Sequence, residues 1–105
     1  MTAYERINFE KIRGFVTVEY DSDWWLACVL NSFPDKEEVD VTFLKPCGPS
    51  PSFTYPRTVD KLLVFVEQVL TLVDPITLTG RTYSLTQDEM KKATEVLQEV
   101  VNISN

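Results

Sequence analysis

The stretch WWLACVL, residues 24–30 of a 105-residue chain, has two apolar faces. Trp25, Ala27 and Val29 alternate with Trp24, Leu26, Cys28 and Leu30, which is the two-residue period of a β-strand. A strand that is apolar on both sides is covered on both sides. The spacing therefore predicts a sheet with a core on one face and a second layer over the other.

Working outward, FVTVEY places Val16, Val18 and Tyr20 on one face and Thr17 and Glu19 on the other, the pattern of a half-buried strand. Asp21, Ser22 and Asp23 between the two runs are turn formers. After residue 30, NSFPDKEE supplies a second reversal around Pro34 and Asp35. VDVTFL then alternates again, with Val39, Val41 and Phe43 inward and Asp40 and Thr42 outward. The segment KPCGPSPSFTYPRT contains Pro46, Pro49, Pro51 and Pro56, which are incompatible with a helix interior or a central strand. It reads as a stiff, extended loop. Residues 62–66 restore a short apolar strand, and EQVL after it reads as one tight helical turn.

The tail begins with a turn at Asp74 and Pro75, and an extended segment is expected near residues 82–85. LTQDEM then carries the parts of a helix start: Thr86 as N-cap, Glu89 as its capping-box partner, and Leu85 against Met90 as a hydrophobic staple. Asp88 and Glu89 also suit the positive end of the helix dipole. A helix over about 87–101 follows, with Met90, Ala93, Leu97, Val100 and Val101 on one face and Val96 widening the stripe. It is expected to cover the Trp24, Leu26, Cys28 and Leu30 face. The N-terminal AYERINFEKI fits a short strand or a helical turn equally well.

Composition narrows the function. A chain of this length makes one domain, and 44% hydrophobic with 11% aromatic residues is a folding composition. Ten Lys and Arg against sixteen Asp and Glu give a net charge of −6, so nucleic acid is disfavoured as a partner unless basic residues cluster, and they are scattered. Histidine is absent, which removes the usual general base and every Cys-His or Ser-His nucleophile pair. The three glycines lie far apart and make no phosphate loop, and Cys28 and Cys47 have no zinc-ligand spacing. The expectation is a protein that is not an enzyme and takes no cofactor or metal. Residues 1–10 are polar, no run reaches the roughly 18 apolar residues of a membrane span, and the two cysteines read as free thiols. An intracellular location, nuclear or cytoplasmic, is expected.

The order of short strands, tight turns, one long loop and a helical turn before the last strand describes a small SH3-like barrel. In VTVEY, DSD and WWLACV the chain resembles the Tudor-like barrels of the Tudor, chromo and agenet group. VDVTFL and VFVEQVL are similar to that group's third and closing strands. The resemblance covers residues 14–70 as a barrel core, leaving 71–105 as a C-terminal extension with the helix. The fold class expected is thus mainly β with a C-terminal helix, the barrel packed by that helix.

What the resemblance implies is a reader of methylated lysine or arginine, held in an aromatic cage at one open end of the barrel. Its cage positions fall on Tyr20, Trp25 and Phe43. The fourth wall departs from the family pattern, since Pro46 stands where an aromatic is usual, and Phe53 or Tyr55 would have to fold back to supply it. Glu19, Asp21 and Asp23 are the candidate acidic rim. A purely architectural account of the same residues packs Trp24 under the helix, makes Trp25 and Phe43 core, and uses Phe53 and Tyr55 to anchor their loop. Two other functions stay open: an adaptor that docks an unmodified extended or proline-rich peptide, and a scaffold that pairs through its helix, giving a monomer or a weak homodimer.

Overall fold

The computed structural model describes residues 9–48 and 52–104. It is mostly β, with two antiparallel sheets and one C-terminal helix. Strands β1 (Phe15–Tyr20), β2 (Asp23–Phe33), β3 (Glu38–Phe43), β6 (Lys61–Phe65) and β7 (Val69–Val73) form a five-stranded sheet in the order β6-β3-β2-β1-β7. Strands β4 (Lys45–Pro46), β5 (Ser52–Thr54) and β8 (Thr82–Ser84) form a second sheet in the order β4-β5-β8. Helix α1 spans Gln87–Ser104. No helix among the described residues is long and apolar enough to cross a membrane.

The five-stranded sheet has to curl. Its edge strands β6 and β7 are joined only by the 3-10 turn Val66–Gln68, which spans about 8 Å from strand to strand. The edges of a flat five-stranded sheet would stand about 19 Å apart. Two further contacts hold the turn. The Val66 N–H donates to the Glu37 carbonyl at 2.8 Å. The Gln68 side chain accepts from the Phe65 N–H at 2.9 Å and donates to the Glu19 carbonyl at 3.1 Å, bridging the end of β6 to β1.

Inside the curl lies the first core. Val16 and Val18 of β1, Ala27 of β2, Val39, Val41 and Phe43 of β3, and Val64 of β6 are buried together, as the two-residue period predicts. Each buried Val contributes about 1.5–3 kcal/mol of transfer free energy. Ile12 joins them from beyond the 3-10 turn Phe9–Lys11, the described part of the N-terminal segment; residues 1–8 of that segment lie outside the described residues.

Tight turns fix the register. Asp21 and Ser22 both adopt left-handed backbone, at φ 56° and 64°, and Tyr20 pairs with Asp23, so β1 and β2 meet in a two-residue hairpin whose twist matches the strands. The second reversal is the 3-10 turn Pro34–Lys36, closed by Glu37 in left-handed backbone. Strand β2 runs three residues past Leu30 before reaching it.

The outer face departs from expectation in two respects. The proline-rich stretch contains strands β4 and β5, with Pro46 on an edge strand where its missing N–H costs no ladder bond. This second sheet joins the helix in covering Leu26: Leu26, Leu44, Phe53 and Leu85 form one buried cluster, with Met90 of the helix packed against it. Farther along, the helix covers Trp24 and Leu70, through Val96, Leu97 and Val100. Leu30 stays exposed, as does Val101 of the expected stripe. Short-range pattern could not anticipate this, because β4, β5 and β8 are two or three residues long and carry no period. Strand β7 follows its helical turn with a broken alternation, since its pairing with β1 has an irregularity between Thr17 and Val18 that turns Leu70 toward the helix while Thr71 meets Thr17. Their hydroxyls lie 2.6 Å apart in a buried hydrogen bond.

The helix start is as the sequence predicts. The Glu89 N–H donates to Thr86 Oγ1 at 3.0 Å and the Thr86 N–H donates to Glu89 Oε1 at 2.9 Å, while Leu85 and Met90 share the outer cluster. Glu89 Oε2 also accepts from the Asp74 N–H at 2.8 Å. That bond ties the helix entry to the end of β7.

Candidate functional site

At one end of the curled sheet, three strands bring aromatic rings to a common opening. Tyr20 is the last residue of β1, and Trp25 lies diagonally across from it on β2, because Tyr20 pairs with Asp23. Diagonal neighbours on one face lie close enough for large rings to share a pocket. Phe43 ends β3 on the same inner face. Tyr20 and Phe43 stand 6.1 Å apart between ring centroids, tilted at 46°. The Trp25 indole N–H donates to the Tyr20 carbonyl at 3.0 Å, which fixes the ring's orientation.

Together with Asp60 and Leu62, these rings line a cavity of about 190 Å³. That is below the roughly 300–1,000 Å³ of sites for drug-sized ligands and is the scale of a side-chain end group. The three rings differ in exposure: Tyr20 47%, Trp25 37%, Phe43 7%. Phe43 is thus both a wall of the cavity and part of the inner core, whereas Tyr20 and Trp25 stand at its rim. A Trp and a Tyr left this open at a strand end are not being used to exclude water from the core.

The acidic member is Asp60, which the sequence gives no local reason to choose. It lies just before β6, and its carbonyl accepts from the Phe43 N–H at 2.9 Å. Only the β3–β6 register, in which Thr42 pairs with Lys61, sets it opposite Phe43. Leu62 enters by the same register. Of the expected acidic rim, Glu19 holds the hairpin through the Ser22 N–H at 3.4 Å, and Asp21 is an exposed turn residue. Asp23 accepts from the Trp24 N–H at 2.8 Å and lines a different cavity.

Phe53 and Tyr55 are not brought to this opening. Phe53 is buried against Trp24, with ring centroids 6.2 Å apart. Tyr55 packs edge-on against Tyr83 at 5.7 Å. Burial, with Cys28 and Tyr83 beside it, pushes the Tyr55 hydroxyl well above the ordinary tyrosine range, so it remains a neutral phenol. Both residues anchor the second sheet. Trp24 likewise serves the architecture, donating its indole N–H to Thr94 Oγ1 of the helix at 3.2 Å.

Compared with known proteins, the chain matches no family model, no curated protein and no solved structure. Three aromatic residues and an aspartate around a small opening can stabilise a cation that has lost hydrogen-bond donors. Cation–π attraction then replaces what water offers such a group poorly. Among the described residues, no three His, Cys, Asp or Glu side chains gather in a way that could hold a metal ion.

A second cavity, of about 340 Å³, lies on the outer side of β2. Trp24, Leu26, Leu44, Pro46, Phe53 and Met90 supply its apolar lining, with Gly48, Ser52 and Asp23 completing it. Trp25 belongs to the lining of both cavities.

Proposed function

We propose that this chain is a non-enzymatic binding module, a small SH3-like barrel of the Tudor-like kind that holds a methylated lysine or arginine side chain of a protein partner between Tyr20, Trp25 and Phe43. The observation that carries the reading is the small cavity with three aromatic walls and Asp60 beside them. The strand order, with a single helical turn before β7, supports the barrel. The net charge of −6 favours a cationic ligand over an anionic one. Each ring facing a desolvated cation contributes about 0.5–2 kcal/mol, so a single free side chain binds weakly and the peptide around it supplies the rest.

The test is an amide NMR titration with free trimethyllysine and with dimethylarginine at millimolar concentration. The Trp25 indole signal and the amides of Tyr20 and Phe43 are expected to move while Trp24 stays still. Spectra that do not move with either ligand would sink the cage. Trp25→Ala is expected to keep the fold, as read by a thermal melt, and to lose the response.

A second reading draws support from β6. It is an edge strand of the five-stranded sheet, and its Leu63 and Phe65 are 51% and 55% exposed. An unmodified extended peptide pairing with that edge would make the domain an adaptor. A peptide that binds equally with and without methylation, and fails to bind Phe65→Glu, would favour it.

A further inference from the structure

We infer that the partner is an extended basic peptide read at two adjacent points, with its methylated cation in the 190 Å³ cavity and a neighbouring apolar side chain, leucine or aromatic, in the 340 Å³ groove on the other side of Trp25. The inference rests on the cation reading of the smaller cavity. It adds a second subsite and a sequence requirement on the ligand.

Three observations carry it. First, Trp25 lines both cavities, so the two openings share one wall, and neighbouring residues of one extended chain can occupy both. Second, the groove is apolar where a side chain would lie, lined by Trp24, Leu26, Leu44, Pro46, Phe53 and Met90. Its volume is at the lower end of the range for sites that bury a ligand group. Leu44 and Leu26 form its floor as part of a fully buried cluster, and the Leu44 N–H to Leu26 carbonyl bond of 2.9 Å holds that floor rigid. Rigid walls spare the ordering cost that a flexible pocket incurs on binding. Third, each cavity carries one carboxylate, Asp60 in the smaller and Asp23 in the larger. The Trp24 N–H fixes Asp23 at 2.8 Å. Carboxylates at both points favour a ligand that is basic along its length.

The groove also accounts for Pro46 in the loop after β3. The Tudor-like resemblance places an aromatic fourth wall there. The proline instead lines the groove, so this position serves the second subsite.

The experiment compares two kinds of synthetic peptide by isothermal titration. Both carry trimethyllysine flanked by lysines and alanines; one series also carries a leucine, placed in turn one to four residues from the trimethyllysine. At one spacing the leucine peptide is expected to bind about tenfold or more tighter than the alanine peptide, the gain from burying one leucine side chain. Ser52→Phe, which fills the groove, is expected to bring the two peptides to equal affinity. Pro46→Asp replaces an exposed edge-strand residue and gives an independent check should Ser52→Phe not fold. If the alanine peptide binds and no leucine spacing improves on it, the groove is not a subsite and this inference falls while the cage stands. If no peptide binds, with trimethyllysine or with dimethylarginine in its place, the cage reading fails and this inference fails with it. A leucine advantage that survives both variants would place the leucine elsewhere and overturn the groove.

Discussion

The two faces of β2 are covered by different kinds of neighbour. On the inner face, Ala27 meets residues of β1, β3 and β6, each a strand whose apolar run is visible in the sequence. On the outer face, Leu26 meets Leu44, Phe53 and Leu85, drawn from the single residue between β3 and β4, a three-residue strand and the residue before a helix cap. The inner core is assembled from repeated pattern and the outer one from single residues. An alternating strand reports that both faces are buried, and it carries no information about what buries the second.

The largest test of that comparison is truncation on either side. Leu26→Ala is expected to cost about 2–5 kcal/mol, because the leucine is fully buried between rigid layers. Val41→Ala on the inner face should cost less, since it removes a smaller side chain. Hydrogen exchange then sharpens the contrast: Leu26→Ala should open β4, β5 and β8 while β1–β3 remain protected. Equal loss of protection in both sheets would show that the two cores are one cooperative unit.

Next in size is the polar pair between β1 and β7. Thr17→Val leaves the Thr71 hydroxyl buried without its partner and should cost about 1–3 kcal/mol. Thr17→Val combined with Thr71→Val should restore most of it, since removing both polar groups removes the unpaired one. Urea melts of the cycle decide this, and a double variant as unstable as the single one would contradict the pairing.

Glu89 gives a pH-dependent effect. Burial alone would raise its pKa, but hydrogen bonds from the Asp74 and Thr86 N–H groups and with the Thr86 hydroxyl outweigh it and hold the carboxyl below its ordinary value of 4.5. A depressed folded pKa means that this contribution is fully present above the unfolded value and is lost as pH falls through the folded one. The carboxylate is mostly solvated, so screening keeps the effect below about 1 kcal/mol. The stability difference between the parent and Glu89→Gln should therefore shrink as pH falls from about 6 to about 3. A difference that is constant over that range would mean that the charge at Glu89 contributes nothing.

The smallest effect is at the hairpin. Ser22 holds φ 64°, a conformation that a side chain disfavours, and glycine adopts it freely. Ser22→Gly should raise stability by a few tenths to about 1 kcal/mol, read as a small rise in melting temperature. A lower melting temperature would show that the serine side chain contributes more than the strain costs.

The candidate site was half legible for a physical reason. Tyr20, Trp25 and Phe43 could be assigned to one face by alternation along their strands, and that face is where they meet. Asp60 and Leu62 could not, because their place depends on the register between β3 and β6, which are joined by 17 residues of connection with no period of its own. Phe53 and Tyr55 are aromatic and sit in the proline-rich stretch, yet sequence holds no signal for the side of β2 to which that stretch returns.

By itself the sequence determined the period-two strands, the Asp-Ser hairpin, the capping box that starts the helix, and the two-sided burial of β2. Each depends on residues within a turn or a strand of one another, where local geometry decides the outcome. Only the tertiary structure decided which layer covers Leu26, that the helix lies on Trp24 and Leu70, and that Trp25 is a wall common to two cavities. Those depend on contacts between residues dozens of positions apart, whose pairing is selected by how the whole set of apolar faces packs together.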